Sequence, residues 1–215
     1  QRAAACGQMD FKYVRSDRQH AYNNLSLSLL GRHQAANAAV ALAAIAELRA
    51  AGWQISEAAI REGLQQVRWP ARVEVIARDP VVIVDAAHNV ASIESLLETL
   101  QESFGNQRRI LIFATTQEKD CTGMLRLLLP RFEEVVLTRY KNNPRGVPVS
   151  ELAALGSAVA PKPLHQCGDV ASAWSLARSL AGREDLICGT GSFFLAAELG
   201  EEMRNSNAAV SVGSQ

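Results

Sequence analysis

The chain lacks an excess of either charge: 22 basic side chains offset 22 acidic ones over 215 residues. Without a whole-chain basic field, general nucleic-acid binding has no electrostatic footing. No apolar run approaches the roughly 20 residues that a membrane span requires. Gln1-Arg2-Ala3-Ala4-Ala5 has no apolar stretch behind it, so no signal peptide is expected. The absence of an initiator Met fits a processed chain or a piece of a longer one. The four cysteines (Cys6, Cys121, Cys167, Cys188) form no C-x-x-C pair, and His20, His33, His88 and His165 show no ligand spacing. A zinc site is therefore not expected, a disulfide is unforced, and reduced thiols in a cytoplasmic protein are the expectation. Also missing is any G-x-x-x-x-G-K-[ST] loop, which cradles nucleotide phosphates in Walker-type ATPases.

What is present is an ordinary globular composition, 48% hydrophobic and 20% charged. From Arg72 onward β-rich runs alternate with segments of helical spacing. Val73 to Ala77 and Val81 to Val84 flank the turn Arg78-Asp79-Pro80 and predict an antiparallel hairpin. Ile93, Leu96, Leu97, Leu100 and Phe104 then mark an amphipathic helix. Strands over 109–114, 134–138, 164–167 and 185–188 alternate with helices over 124–129, 152–159, 170–180 and 192–204. The order, and strands apolar on both faces, predict a doubly wound, mostly parallel α/β sheet. In such sheets ligands sit beyond the carboxyl ends of the strands, which here carry Asp85, Thr115, Thr138, Gly168 and Gly189.

The first 69 residues differ. Two short strands (11–14 and 25–29) precede an alanine-rich helix over 33–50 and a second over 56–67, N-capped by Ser56. Helices with no strand between them look like the end of another domain. The expected division is 1–69, a Rossmann-like domain over 70–205 after the junction Arg68-Trp69-Pro70-Ala71-Arg72, and a frayed tail over 206–215 with no hydrophobic period.

Three segments carry chemistry. His33, Gln34 and Asn37 open a helix, and His33 and Asn37, one turn apart, can face one ligand; solvated polar groups at a helix start are the plain alternative. Asp85-Ala86-Ala87-His88-Asn89 follows a buried strand, where a carboxylate can accept ribose hydroxyls or merely cap the next helix. Gly189-Thr190-Gly191-Ser192 passes from strand to helix and offers free backbone N–H groups to an anion.

Together these segments resemble the C-terminal part of the folylpolyglutamate synthase/dihydrofolate synthase family, within the Mur ligase superfamily. Residues 30–39 are similar to its G-x-H-Q-x-x-N-A-A helix start. Trp69-Pro70-Ala71-Arg72-Val73-Glu74 resembles its W-P-G-R-x-E linker, and Asp85 to Asn89 its D-G-A-H-N. Glu118-Lys119-Asp120 matches its x-K-D loop and Gly191-Ser192 its late G-S. The resemblance implies a ligase that uses ATP and Mg²⁺ to form an acyl phosphate on a folate carboxylate and couples it to glutamate. It implies Gln34 and Asn37 at the nucleotide, Arg72 at the ATP phosphates and Asp85 at the ribose. His88 and Ser192, with Lys119 beside them, would serve glutamate, and Arg72 and His88 would be the catalytic pair. No metal ligand is implied here: the phosphate loop, the Mg²⁺ ligands and most of the folate site belong to an ATPase domain upstream.

Ala71, Ala86 and Val90 depart from the family's Gly, Gly and Pro. Alanine disfavours positive φ, so both loops are expected to sit differently. Two other readings fit less well. Another superfamily ligase, adding an amino acid to a peptidoglycan precursor, more often carries His-Asn where His33-Gln34 stands. A non-catalytic doubly wound module binding a nucleotide or protein has no need of the Arg72 linker. The 215-residue chain is expected to fold yet not turn over, and ATP hydrolysis or glutamate ligation by it above a blank would contradict that.

Overall fold

The computed structural model describes residues 7–15, 18–141 and 143–212. The chain divides into two compact units, Gln1–Pro70 and Ala71–Gln215. Cys121, Cys167 and Cys188 are free thiols; Cys6 lies outside the described residues.

In the first unit β1 (Gly7–Arg15) pairs antiparallel with β2 (Arg18–Leu27), with a register shift between Met9 and Phe11. The pairing is longer than the sequence predicts. The polar stretch Arg18 to Asn24 joins through its backbone, so hydrophobic alternation does not report it. α1 (Arg32–Ala50) and α2 (Glu57–Gln66) complete the unit. Ala38, Leu42 and Ala46 recur every fourth residue, giving α1 a buried stripe. A small core of Phe11, Tyr22, Leu25, Leu42 and Ile60 results. α2 starts as its sequence predicts, with the Ser56 hydroxyl accepting from the Ala59 N–H at 3.1 Å.

The second unit is built on a six-stranded sheet, introduced here in chain order. β3 (Glu74–Arg78) and β4 (Val81–Val84) form the expected hairpin. α3 (Val90–Phe104), β5 (Arg109–Phe113), α4 (Cys121–Leu128) and β6 (Glu134–Leu137) follow. Then come α5 (Val149–Val159), β7 (His165–Gln166), α6 (Val170–Leu180), β8 (Leu186–Thr190) and α7 (Phe193–Val212). The spatial order is β3-β4-β8-β5-β6-β7, parallel except for β3. The doubly wound fold predicted from the alternation of elements is therefore observed. Three crossovers run outward from β4 and one returns, so β8 inserts between β4 and β5.

α3, α4 and α5 contact one another in series, while α6 and α7 contact each other and β4, β5, β6 and β8. Val82, Val84, Ile110, Ile112, Val136 and Ile187 pack against Trp174, Leu195, Leu199 and Met203 of α6 and α7. The alternate residues Ile83, Leu111, Phe113, Val135 and Cys188 are equally inaccessible, which is why β5 reads as an unbroken apolar run rather than an alternating one. Burial in that layer pushes the Cys188 thiol far up, helped by the nearby Asp85 charge.

Three boundaries differ from the sequence expectation. α4 begins at Cys121 rather than Met124, because Asp120 accepts from the Gly123 N–H at 2.8 Å and caps it. Pro130 does not end the helical path outright but sits in a 3₁₀ turn, Leu129–Arg131. α7 continues to Val212 through the segment read as an aperiodic tail: no Pro or Gly interrupts 205–212.

β4 leads into α3 on one face, and its neighbour β8 leads into α7 on the other. This reversal makes the carboxyl ends of the two strands a topological switch point, the place where doubly wound sheets bind ligands. The turn out of β8 depends on Gly191, whose φ is 114° and whose hypothetical Cβ would lie 2.4 Å from the Ala114 carbonyl oxygen. Gly191→Ala is expected to cost about 2–5 kcal/mol through backbone strain and overpacking. Hydrogen exchange at the Ile187 and Cys188 amides should accelerate accordingly; unchanged protection would show that the turn has room for a side chain.

Candidate active site

The crevice rim begins with the segment around Arg72. Ala71 has φ 56° and Val73 φ 47°, so the residues on both sides of Arg72 are left-handed. This corrects the sequence expectation for Ala71, which adopts the positive φ that its side chain disfavours; Ala86, the other substituted position, does not. A β-branched residue in this region is a steric outlier, and such strain persists only where surrounding contacts over-determine the backbone. Those contacts are present. The Ala71 N–H donates to Glu74 Oε2 at 2.8 Å, the Val73 N–H donates to Asp85 Oδ2 at 2.8 Å, and the Ala86 N–H donates to the Ala71 oxygen at 2.9 Å.

Asp85 is 5% exposed. Its second oxygen accepts from the Ala87 N–H at 2.7 Å, so each carboxylate oxygen is engaged by a backbone donor. The sequence suggested a ribose acceptor or a helix cap. Asn89 is the cap: it forms a reciprocal capping box with Ser92 that starts α3.

His88 is half-buried, and its Nδ1 lies 3.0 Å from the Ala86 carbonyl oxygen. A carbonyl only accepts, so Nδ1 carries a proton, and the tautomer that this contact selects presents Nε2 as an acceptor. The ring lies 6.0 Å from that of Phe193, and the Arg72 guanidinium carbon stands 5.7 Å from the Phe193 ring centre. The structure thus gathers Arg72 and His88 around one aromatic side chain that sequence reasoning missed. An apolar residue at the start of a helix carries no sign that it will remain 48% exposed. Ser192, also on this rim, is 3% exposed and caps α7, its Oγ accepting from the Phe194 N–H at 3.1 Å. Its hydroxyl proton is left to donate elsewhere.

Lys119 sits in the loop after β5, one strand further along, and among the described residues nothing places it against His88 or Ser192. Its neighbour Glu118 pairs with Arg145 at 2.7 Å. On that side Phe194 stacks on Tyr140 at 5.3 Å, and the Tyr140 hydroxyl lies 2.9 Å from Thr116 Oγ1. Thr115, Thr138 and Thr190, at the ends of β5, β6 and β8, are buried, with hydroxyls that find no partner among the described residues.

In the first unit His33, Gln34 and Asn37 form one hydrogen-bonded row. Gln34 Nε2 lies 3.0 Å from His33 Nε2, and Asn37 Nδ2 donates to Gln34 Oε1 at 3.2 Å. Gln34 is buried and Asn37 exposed, so Gln34 orients the outer amide. Asn37 keeps its carbonyl oxygen and one N–H in hand, the pair that reads the N6/N7 edge of an adenine. Among the described residues no three His, Cys, Asp or Glu side chains converge as metal ligands, and no helix is long and apolar enough to cross a membrane.

The second unit is a doubly wound α/β domain with a cation, an imidazole and a helix N-terminus at its topological switch point. Residues 71–193 match the family described as Mur ligase, glutamate ligase domain, and the chain belongs to that family. It is 35% identical over 162 residues to a dihydrofolate synthase/folylpolyglutamate synthase of Mycobacterium tuberculosis, covering 74% of this chain and 33% of that protein. The Escherichia coli protein of the same name is 32% identical over 193 residues, covering 89% and 43%. A crystal structure of Mycobacterium tuberculosis folylpolyglutamate synthase complexed with ADP and AMPPCP superposes with a TM-score of 0.76 at 29% identity. It covers 90% of this chain and 46% of that one. The chain therefore spans less than half the length of these relatives.

The engagement of Asp85 yields a measurable expectation. Asp85→Asn keeps the size but turns an amide N–H₂ toward a backbone donor, costing about 1–3 kcal/mol for the lost charge-assisted bond. The Val73 and Ala87 amides should then exchange faster with solvent. Equal exchange in variant and wild type would return Asp85 to a free ligand acceptor.

Proposed function

We propose that this chain is the C-terminal portion of an ATP-dependent ligase that adds glutamate to folate, in dihydrofolate synthesis, folylpolyglutamate synthesis or both. Residues 1–69 are read as the end of its ATPase domain, residues 70–205 as its ligase domain, and the cytoplasm as its compartment. The observation that carries the proposal is the Arg72 guanidinium, with no hydrogen-bond or ion-pair partner among the described residues, beside His88 in a domain of the glutamate-ligase family.

ATP would supply the phosphoryl group that activates the folate carboxylate. Asn37, oriented by Gln34, fits the adenine edge. Arg72, with five N–H donors to offer, fits phosphate oxygens as charge develops during transfer. Asp85 fixes the backbone that follows that cation, and its carboxylate is the group that would face a ribose hydroxyl. Mg²⁺ would be held by the upstream segment.

The tautomer of His88 refines its role. A neutral ring with Nε2 unprotonated accepts a proton and does not donate one, so it suits the α-amino group of glutamate better than its carboxylates. Those are left to the Ser192 hydroxyl and the α7 N-terminus, where the helix dipole favours an anion. Lys119 is the more distant candidate for a side-chain carboxylate.

In the full-length ligase His88→Ala should raise the glutamate KM about tenfold, the scale of one lost hydrogen bond to a charge, with ATP binding nearly unchanged. Arg72→Ala should lower kcat more than either KM. Dihydropteroate and tetrahydrofolate, each with glutamate and ATP, distinguish the two activities. Loss of ATP binding in His88→Ala with an unaltered glutamate KM would overturn the assignment of this rim to the amino acid.

A further inference from the structure

We infer that Phe193 is a positioning residue: its ring holds the Arg72 guanidinium and the His88 imidazole at the mouth of the β4/β8 crevice. This rests on the ligase reading for its consequence but not for its geometry. Phe193 is 48% exposed although it follows the buried Ser192, so its ring does little for the core. What it touches are the two side chains that matter most on this rim. The Arg72 carbon Cζ lies 5.7 Å from its centroid, and the His88 ring centroid lies 6.0 Å away at a 42° tilt. Arg72 makes no hydrogen bond or ion pair among the described residues, so the ring is what the structure offers to hold its head group.

An aromatic holder has a chemical advantage over a carboxylate. A Glu or Asp in its place would neutralise the guanidinium and occupy two of its five N–H donors. The π face attracts the cation through its quadrupole and leaves both charge and donors available. The same ring supports His88 on its apolar side, while Ala86 fixes the Nδ1 proton at the other edge. Phe193 also opens α7, directly after the Gly191 turn, so the strand-to-helix junction sets its place. The two groups that would meet phosphate and amine are thus referenced to one rigid point.

The test uses four variants, Phe193→Leu, Phe193→Ala, Phe193→Trp and Phe193→Glu, in this chain and in the full-length ligase. In this chain the readout is the ¹⁵N relaxation of the Arg72 side-chain Nε–H and the ring-current shift of the His88 ring protons. Leu and Ala should release Arg72 and abolish the shift, Trp should retain both, and the thermal midpoint should stay within a few degrees throughout. In the full-length enzyme Leu and Ala should lower kcat three- to tenfold, with Trp restoring most of it. Glu should be the worst, because it orders Arg72 while cancelling its charge. If Leu leaves Arg72 as ordered as in wild type, the ring is not the holder and the inference falls. If Arg72 loosens but kcat does not move, the positioning has no bearing on turnover and the inference falls in that respect. Failure of the wild-type full-length protein to ligate glutamate would overturn the ligase reading alone, since the relaxation data still decide what holds Arg72.

Discussion

The second unit's crevice depends on one carboxylate. Asp85 leaves the end of β4 and accepts hydrogen bonds from the Val73 and Ala87 N–H groups, tying the segment before β3 to the loop after β4. That tie holds Val73 on one side of Arg72, and the bond from the Ala71 N–H to Glu74 holds the other, so both residues stay left-handed. Each such residue costs about 1–2 kcal/mol, and a hydrogen bond to a charged group contributes about 1.5–3 kcal/mol. The bonds to Asp85 and Glu74 therefore suffice to offset the strain at Val73 and Ala71. The guanidinium is consequently presented by a backbone held from both sides.

The sheet order explains why this presentation coincides with the other reactive groups. Because β8 inserts beside β4 and its helix leaves on the opposite face, the ends of the two strands open onto each other. His88 follows β4 and Phe193 follows β8, and they meet across that opening at 6.0 Å. The rest of the rim is a different environment. Beyond β5 the loops are stitched by Tyr140, Thr116, Phe194 and the Glu118–Arg145 pair, which form a wall rather than a second reactive cluster.

Much of this was legible in the sequence, unevenly and for physical reasons. β5, Arg-Ile-Leu-Ile-Phe, is inaccessible along its whole length and announced itself as an apolar run. Ser56 declared its cap, and the alternation of strands and helices gave the parallel sheet. Only the end of β2, from Leu25, declared itself, because the stretch before it is held by backbone pairing that composition does not encode. The end of α7 was misjudged because hydrophobic period reports burial, and a helix can continue without it. At the rim the reactive residue types were identifiable, but what each one touches was not. The sequence did not show that the Asp85 oxygens accept from the Val73 and Ala87 N–H groups, or that His88 Nδ1 lies against the Ala86 carbonyl. Phe193 had no signature at all, since an exposed ring becomes informative only once its neighbours are known.

The difference between Asp85 and Phe193 shows how this domain keeps a cation ready. A buried carboxylate is used where rigidity is needed, on the backbone, each oxygen accepting from an N–H group. The head group of Arg72 is given a ring instead, which leaves its N–H donors uncommitted. Interchanging the two devices would defeat both. A ring at the end of β4 could not hold a left-handed backbone, and a carboxylate at the start of α7 would pair with the guanidinium and raise the cost of every anion that had to displace it. The placement of one acid below the rim and one aromatic upon it therefore follows from what each chemistry can hold without consuming.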